Sequence, residues 1–190
     1  DAETSVDFYN TSRLKNLNFL HPKNLFHSIA WHIATLFKDL ARIKNTDYTH
    51  VFIWWSTWDK IKRKVRALRG YQEFYFDHRT YTGKYAYYPL HIEPEIAMLL
   101  YAPFYTNQLE LIRATARSLP IGMLLFVKEH PGMLGYRTRA YYKEMTKIPN
   151  VRLISPGVPG NQLAQGAALT VTITSTSGWE SLLLQKPVIT

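Results

Sequence analysis

Met123-Leu-Leu-Phe-Val-Lys-Glu-His-Pro-Gly132 reads as a buried β-strand that runs directly into a cation, an acid and an imidazole before a Pro-Gly turn stops it. Its neighbours on both sides alternate between strand and helix patterns. Upstream, Lys84 to His91 is strand-like, and Asn107 to Leu119 is an amphipathic helix closed by Pro120 and Gly122. Downstream come a helix from Arg137 to Ile148, a strand from Val151 to Ser155, and a short helix from Asn161 to Ala167. A β-branched strand from Leu169 to Thr174, a helix from Gly178 to Leu184 and a last strand from Pro187 to Thr190 complete the series. Strands joined by helices of about ten residues indicate βαβ crossovers. The expected fold class is therefore α/β, a Rossmann-like parallel sheet with flanking helices. In such a sheet ligands bind beyond the carboxyl ends of the strands, near helix N-termini.

Three strand ends carry polar groups suited to chemistry. In the opening stretch, Lys128 and His130 share side-chain parity on an extended chain, so both can face one ligand while Glu129 faces away as an ion-pair partner. A phosphate suits that pair; a hydrogen-bonded loop histidine is the plainer alternative. In Leu90-His-Ile-Glu-Pro-Glu95, one histidine and two carboxylates follow a strand, and Glu95 is a candidate for orienting a sugar hydroxyl. Thr174-Ser-Thr-Ser-Gly178 then places four consecutive hydroxyl residues before a helix that contains Glu180. Hydroxyls and N–H groups at a helix start make an anion site, and Gly178 is expected to let a ligand approach the backbone. The structural alternative is a capping box from Ser177 to Glu180, which uses one hydroxyl and leaves three.

Residues 1–84 differ in character and are read as a mainly helical segment and connector, with residues 85–190 as the α/β domain. Leu25 to Lys44 has apolar residues at helical steps and neither Gly nor Pro, and Asn45-Thr-Asp47 is expected to end that helix. Val51-Phe-Ile-Trp-Trp55 reads as a short strand, with Ser56 or Thr57 capping the helix that follows. That helix, Lys60 to Arg69, sets a basic face against an apolar stripe of Trp58, Ile61, Val65 and Leu68. Two readings apply: a solvated face on a packed helix, or contact with an anionic membrane surface aided by Trp54, Trp55 and Trp58. The segment from Tyr71 to Tyr88 is rich in Tyr and Phe and reads as a packed connector.

Composition removes several classes of function. The 190 residues contain no cysteine, which excludes disulfide frameworks, thiolate metal sites and cysteine nucleophiles, and fits a reducing compartment. No apolar run reaches the length of a membrane span. The formal charge of +9 is concentrated before residue 85 and comes without helix-turn-helix, RNP or zinc-finger spacing, so no nucleic-acid partner is expected. The start, Asp-Ala-Glu-Thr, lacks a signal-peptide plan, and the end falls within a strand pattern; a part of a longer protein is the expectation.

Val127-Lys-Glu-His-Pro131, Tyr105-Thr-Asn-Gln-Leu109, Ile148-Pro-Asn-Val151, and Thr172-Ile-Thr-Ser-Thr-Ser-Gly-Trp-Glu180 through Lys186-Pro-Val-Ile189 resemble, in order, motifs of the capsule polysaccharide biosynthesis family. This family includes bacterial transferases that add Kdo to the lipid anchor of capsular polysaccharide. The resemblance covers about residues 85–190 and implies the donor-binding C-terminal half of a GT-B glycosyltransferase, with a nucleotide-sugar donor, favouring a CMP-sugar, and a glycan or glycolipid acceptor. It implies that catalytic His130 contacts the donor phosphate with Lys128 in support. Ser175, Thr176 and Ser177 would then hold that phosphate, and Glu180 would lie near the ribose. No Asp-x-Asp motif is present, and the resemblance implies no cofactor and no metal. Ser175 and Gln185 stand where the family commonly has Gly, and Trp179 is bulkier than usual. The general base is expected outside this chain, which would bind nucleotide without catalysing alone, at the cytoplasmic face and peripheral to the inner membrane. A UDP-sugar epimerase, a glycerophosphate polymer transferase and a non-catalytic docking module for polysaccharide synthesis or export are the alternatives.

Overall fold

The computed structural model of the chain describes residues 22–41 and 53–190. Among them, two compact units separate: the helices before Gly70, and Tyr71–Thr190. In the first, α1 spans Pro22–Ala41 and α2 spans Ile53–Arg69. The strand expected at Val51 to Trp55 is not formed in its described part, because Ile53, Trp54 and Trp55 are the first residues of α2. Ser56 and Thr57 consequently lie inside that helix and do not cap it. The reason is the stripe itself: Trp54, Trp58, Ile61 and Val65 continue one helical period, and this outweighs the β preference of a five-residue run. Gly70, at φ 69°, ends α2 in the left-handed conformation, its N–H donating to the Arg66 carbonyl. The break expected at Asn45 to Asp47 lies outside the described residues.

The second unit is built on five parallel strands: β1 Tyr85–Pro89, β2 Leu124–Lys128, β3 Val151–Ile154, β4 Leu169–Val171 and β5 Val188–Ile189. Their order, β3-β2-β1-β4-β5, puts the first strand at the centre, with later strands added on one side and then on the other. Helices connect them: α3 Ile96–Tyr101 and α4 Gln108–Ser118 before β2, α5 Arg139–Thr146 before β3, α6 Gly160–Gly166 before β4, and α7 Thr176–Leu183 before β5. This is the Rossmann-like α/β arrangement expected from the sequence.

Both faces of the sheet are buried across β1, β2 and β3, as a parallel sheet requires, while Ile189 of β5 remains exposed. Ala86, Tyr88, Leu125, Val127, Val151 and Leu153 pack on one side with Ile112 and Ala116 of α4 and Tyr142 and Met145 of α5. The alternate residues Tyr87, Phe126 and Ile154 pack on the other side with Leu163, Ala164 and Ala167 around α6. Each large side chain buried this way contributes about 1.5–3 kcal/mol. The aromatic segment after Gly70 closes the outer edge of β3: the Phe76 N–H donates to the Leu153 carbonyl at 2.8 Å, and Tyr71 is fully buried. Covering an edge strand in this way removes a row of open backbone groups. Gln185 has φ 57° between α7 and β5. That left-handed conformation is the one glycine adopts at least cost.

Candidate functional site

The strand order reverses direction between β1 and β4, and the chain leaves both strands at the same edge of the sheet. Loops from adjacent parallel strands diverge there and open the crevice in which such folds take ligands. Three strand ends lie along that edge. β2 delivers Lys128 to His130, β1 delivers His91 to Glu95, and β4 delivers Thr172 to Ser177 at the start of α7. Since β1 alone separates β2 from β4, the first and last of these stand about 10 Å apart at the strand spacing of roughly 4.8 Å.

At the end of β2, the His130 side chain caps the turn Pro131–Met133: Nδ1 accepts from the Gly132 N–H at 3.0 Å. An imidazole that accepts at Nδ1 carries its proton at Nε2, which leaves one N–H donor for a ligand. Burial, then the neighbouring Lys128 charge, lowers the His130 pKa and favours that neutral form. Lys128 is itself partly buried; desolvation lowers its pKa, and Nζ donates to the Glu129 carbonyl at 3.4 Å. Glu129 turns inward, as parity anticipated. Its carboxylate has no solvent exposure and accepts from the His130 N–H at 2.6 Å, Arg137 Nη1 at 2.5 Å and the Tyr142 hydroxyl at 2.6 Å.

The end of β1 is held from beneath. Arg137 Nη2 donates to the His91 carbonyl at 2.6 Å and lies 3.4 Å from Glu93 Oε1. Gln108, fully buried at the start of α4, accepts from the His91 N–H at 2.8 Å, and its amide nitrogen donates to the Glu93 carboxylate. The His91 ring points toward β4: Nε2 accepts from the Ile173 N–H at 3.3 Å, while Nδ1 faces Glu95 Oε2 at 3.5 Å. Glu95 therefore stands at the rim and pairs with a buried histidine. Arg137 is the residue that sequence reasoning missed. Its partners lie 8 and 46 positions away, and no local motif marks it.

At the end of β4 the cap is not Ser177, the residue named by the capping-box alternative. Ser175 is the N-cap of α7, its hydroxyl accepting from the Ser177 N–H at 3.1 Å. Helix α7 begins at Thr176, so Ser177 and Glu180 sit within it and form no capping box. Gly178 serves packing instead of ligand approach, because a Cβ there would come 3.1 Å from Thr172 Cγ2, against β4. Thr176 is exposed, Ser177 is half-buried, and Glu180 is exposed one turn further on. Ser177 also hydrogen-bonds the buried Tyr87 hydroxyl, which reaches it from β1. The same hydroxyl stands 3.1 Å from the position of a Cβ on Gly160, so the start of α6 approaches closely here.

No group of three metal-ligating side chains occurs among the described residues, and no described helix is long and apolar enough to cross a membrane. The sheet and its crevice define a Rossmann-like α/β protein. Residues 56–190 match the family model described as capsule polysaccharide biosynthesis protein, and the chain belongs to that family. Among solved structures it is similar to Thermosulfurimonas dismutans KpsC, a β-Kdo 2,7 transferase, at 18% identity and a TM-score of 0.47. The match covers 83% of this chain and 45% of KpsC, so this chain spans less than half of that protein. No curated protein sequence matches it.

Proposed function

We propose that this chain is the donor-binding part of a GT-B glycosyltransferase of bacterial capsular polysaccharide synthesis, taking a CMP-activated sugar of the Kdo type. The observation that supports this most is the pairing, across β1, of a neutral His130 N–H donor with the hydroxyl-rich start of α7. A phosphate bound between them receives charge-assisted hydrogen bonds in a partly dehydrated crevice. His130 Nε2–H donates to the phosphate oxygen that gains charge as CMP departs, and Lys128 supplies positive potential behind it. The hydroxyls of Ser175, Thr176 and Ser177 and the Thr176 N–H hold the remaining oxygens; Ser175 Oγ accepts from the Ser177 N–H as the helix cap and keeps its own O–H to donate. Glu180 meets the ribose hydroxyls and Glu95 a sugar hydroxyl. The acceptor and the general base belong to a separate N-terminal half.

Calorimetric titration with CMP, CDP, UMP and UDP tests the reading. Preferential binding of CMP, with slower amide exchange around residues 128–132 and 174–178, supports it. Equal exchange with and without CMP removes it, and a preference for a uridine nucleotide points to the epimerase alternative.

A second reading concerns location. Helix α2 exposes Trp54, Trp55 and Trp58 beside Lys60, Lys62, Lys64 and Arg66. Exposed tryptophans next to basic side chains suit an anionic bilayer surface, and so a place peripheral to the inner membrane, on the cytoplasmic side where the nucleotide donor is supplied.

A further inference from the structure

The two sides of the crevice are joined by a run of buried and part-buried hydrogen bonds, continued through the backbone at His91 and at Thr172–Ile173, in which Arg137 bridges β2 and β1. It starts at the His130 N–H, which donates to Glu129 Oε1, and the same oxygen accepts from Arg137 Nη1. The other end of the guanidinium, Nη2, donates to the carbonyl of His91 on the central strand. From His91 the ring reaches across to the Ile173 N–H, and one residue back Thr172 Oγ1 accepts from the N–H of Ser175, the α7 cap. Arg137 is anchored in turn, since its own carbonyl accepts from the buried Tyr71 hydroxyl at 3.0 Å. Its side chain is 3% exposed.

We infer that Arg137 is a positioning residue, which sets the spacing and direction of the His130 turn relative to the start of α7 and acts through Glu129 and His91. The inference deepens the donor-site reading and rests on it for the nucleotide prediction. The chemistry favours arginine specifically. A planar guanidinium donates from two nitrogens in a fixed fork, here to a carboxylate and to a backbone carbonyl on neighbouring strand ends. A lysine at the same place keeps the charge but satisfies these two acceptors from a single mobile nitrogen. Burial makes the arrangement stiff, because neither acceptor can turn to water instead.

The test is Arg137→Lys in the full chain, read by NMR and by CMP titration. The expected result is a displaced His130 ring 15N pattern together with shifted Ser175 and Ser177 amide resonances, about 40 residues away in sequence. CMP affinity falls about tenfold, the scale of one hydrogen bond to a charged group. A role confined to stability would lower the melting temperature and leave the folded-state His130 and Ser177 signals in place, and that result overturns the inference. Tyr142→Phe, which removes only the hydroxyl bond to Glu129 Oε2, provides a milder variant should Arg137→Lys fail to fold. It is expected to move the His130 signals in the same direction, and unmoved signals count against the inference equally. The NMR readout needs no ligand, so absence of CMP binding by the unsubstituted chain would overturn the donor reading while the His130 and Ser177 signals still decide the role of Arg137.

Discussion

Glu129 Oε1 lies 2.5 Å from Arg137 Nη1, with both side chains closed off from solvent beneath the carboxyl edge of the sheet. Burial alone would weaken the Arg137 charge, but Glu129, Tyr141 and Glu93 hold it firmly protonated. Pairs of this kind add little against well-packed apolar replacements, yet removing one partner strands the other charge. Arg137→Met is accordingly expected to destabilise the fold by about 3–5 kcal/mol in urea unfolding. Combining it with Glu129→Gln is expected to return part of that loss. A double variant no more stable than Arg137→Met would mean that the charge pair is not the source of the cost.

His91 gives the fold a pH dependence of defined sign. Burial, then the nearby Arg137 charge, lowers its pKa against the pull of Glu95. The unfolded chain therefore binds a proton more readily, starting near the ordinary histidine value of about 6.5. Stability is full above that value and is lost as pH falls through the lower folded value. His130 and His78 shift in the same direction, so His91→Gln is expected to flatten the acid side of a melting-temperature profile without abolishing its slope. An unchanged profile would show that His91 does not titrate in this range.

His130 has two separable functions. Its Nδ1 caps the Pro131–Met133 turn, and its Nε2–H is left as the donor proposed for the phosphate. Asparagine is among the preferred N-cap residues. His130→Asn should keep stability within about 1 kcal/mol of the starting protein while weakening CMP binding at least tenfold. Equal CMP affinity in the variant would exclude the imidazole from the donor site.

Gln185 holds a left-handed backbone at φ 57°. That conformation costs a side-chain-bearing residue about 1–2 kcal/mol, partly offset by the greater freedom of glycine in the unfolded chain. Gln185→Gly is expected to raise the unfolding midpoint, by a net of about 0.5–1 kcal/mol. A lower midpoint would reveal a side-chain contribution that outweighs the backbone.

For helix α2, exposed Trp54 and Trp55 with the adjacent cations are expected to give binding to vesicles rich in anionic lipid that weakens with added salt. Replacing Lys60, Lys62, Arg63 and Lys64 by Gln should abolish that binding and leave CMP affinity unchanged. Equal binding to neutral vesicles would remove the electrostatic reading.

The strand at Leu124 to Lys128 was legible because its apolar run is short, β-branched or bulky in part, and bounded by turn residues, features that depend only on local sequence. The inward turn of Glu129 followed from parity alone. The strand expected from Val51 to Trp55 came from the same local reasoning and fails at Ile53 to Trp55, since a short run cannot reveal that Trp54 extends the stripe of a longer helix. The cap of α7 was displaced by two residues because Ser175, Thr176 and Ser177 are chemically equivalent caps. In the folded chain Ser175 takes the cap, and Gly178 packs closely against Thr172.

The order of strands and helices, the placement of polar residues at strand ends and the family were all written in the sequence, because periodicity, turn chemistry and spaced motifs act over a few residues. Tertiary structure alone decided the centre of the site. It brought Arg137 between Glu129 and His91, turned the His91 ring toward Ile173 and assigned each ring nitrogen its role. Those contacts join residues up to 82 positions apart, and a buried charge takes whichever partners the closed core leaves it.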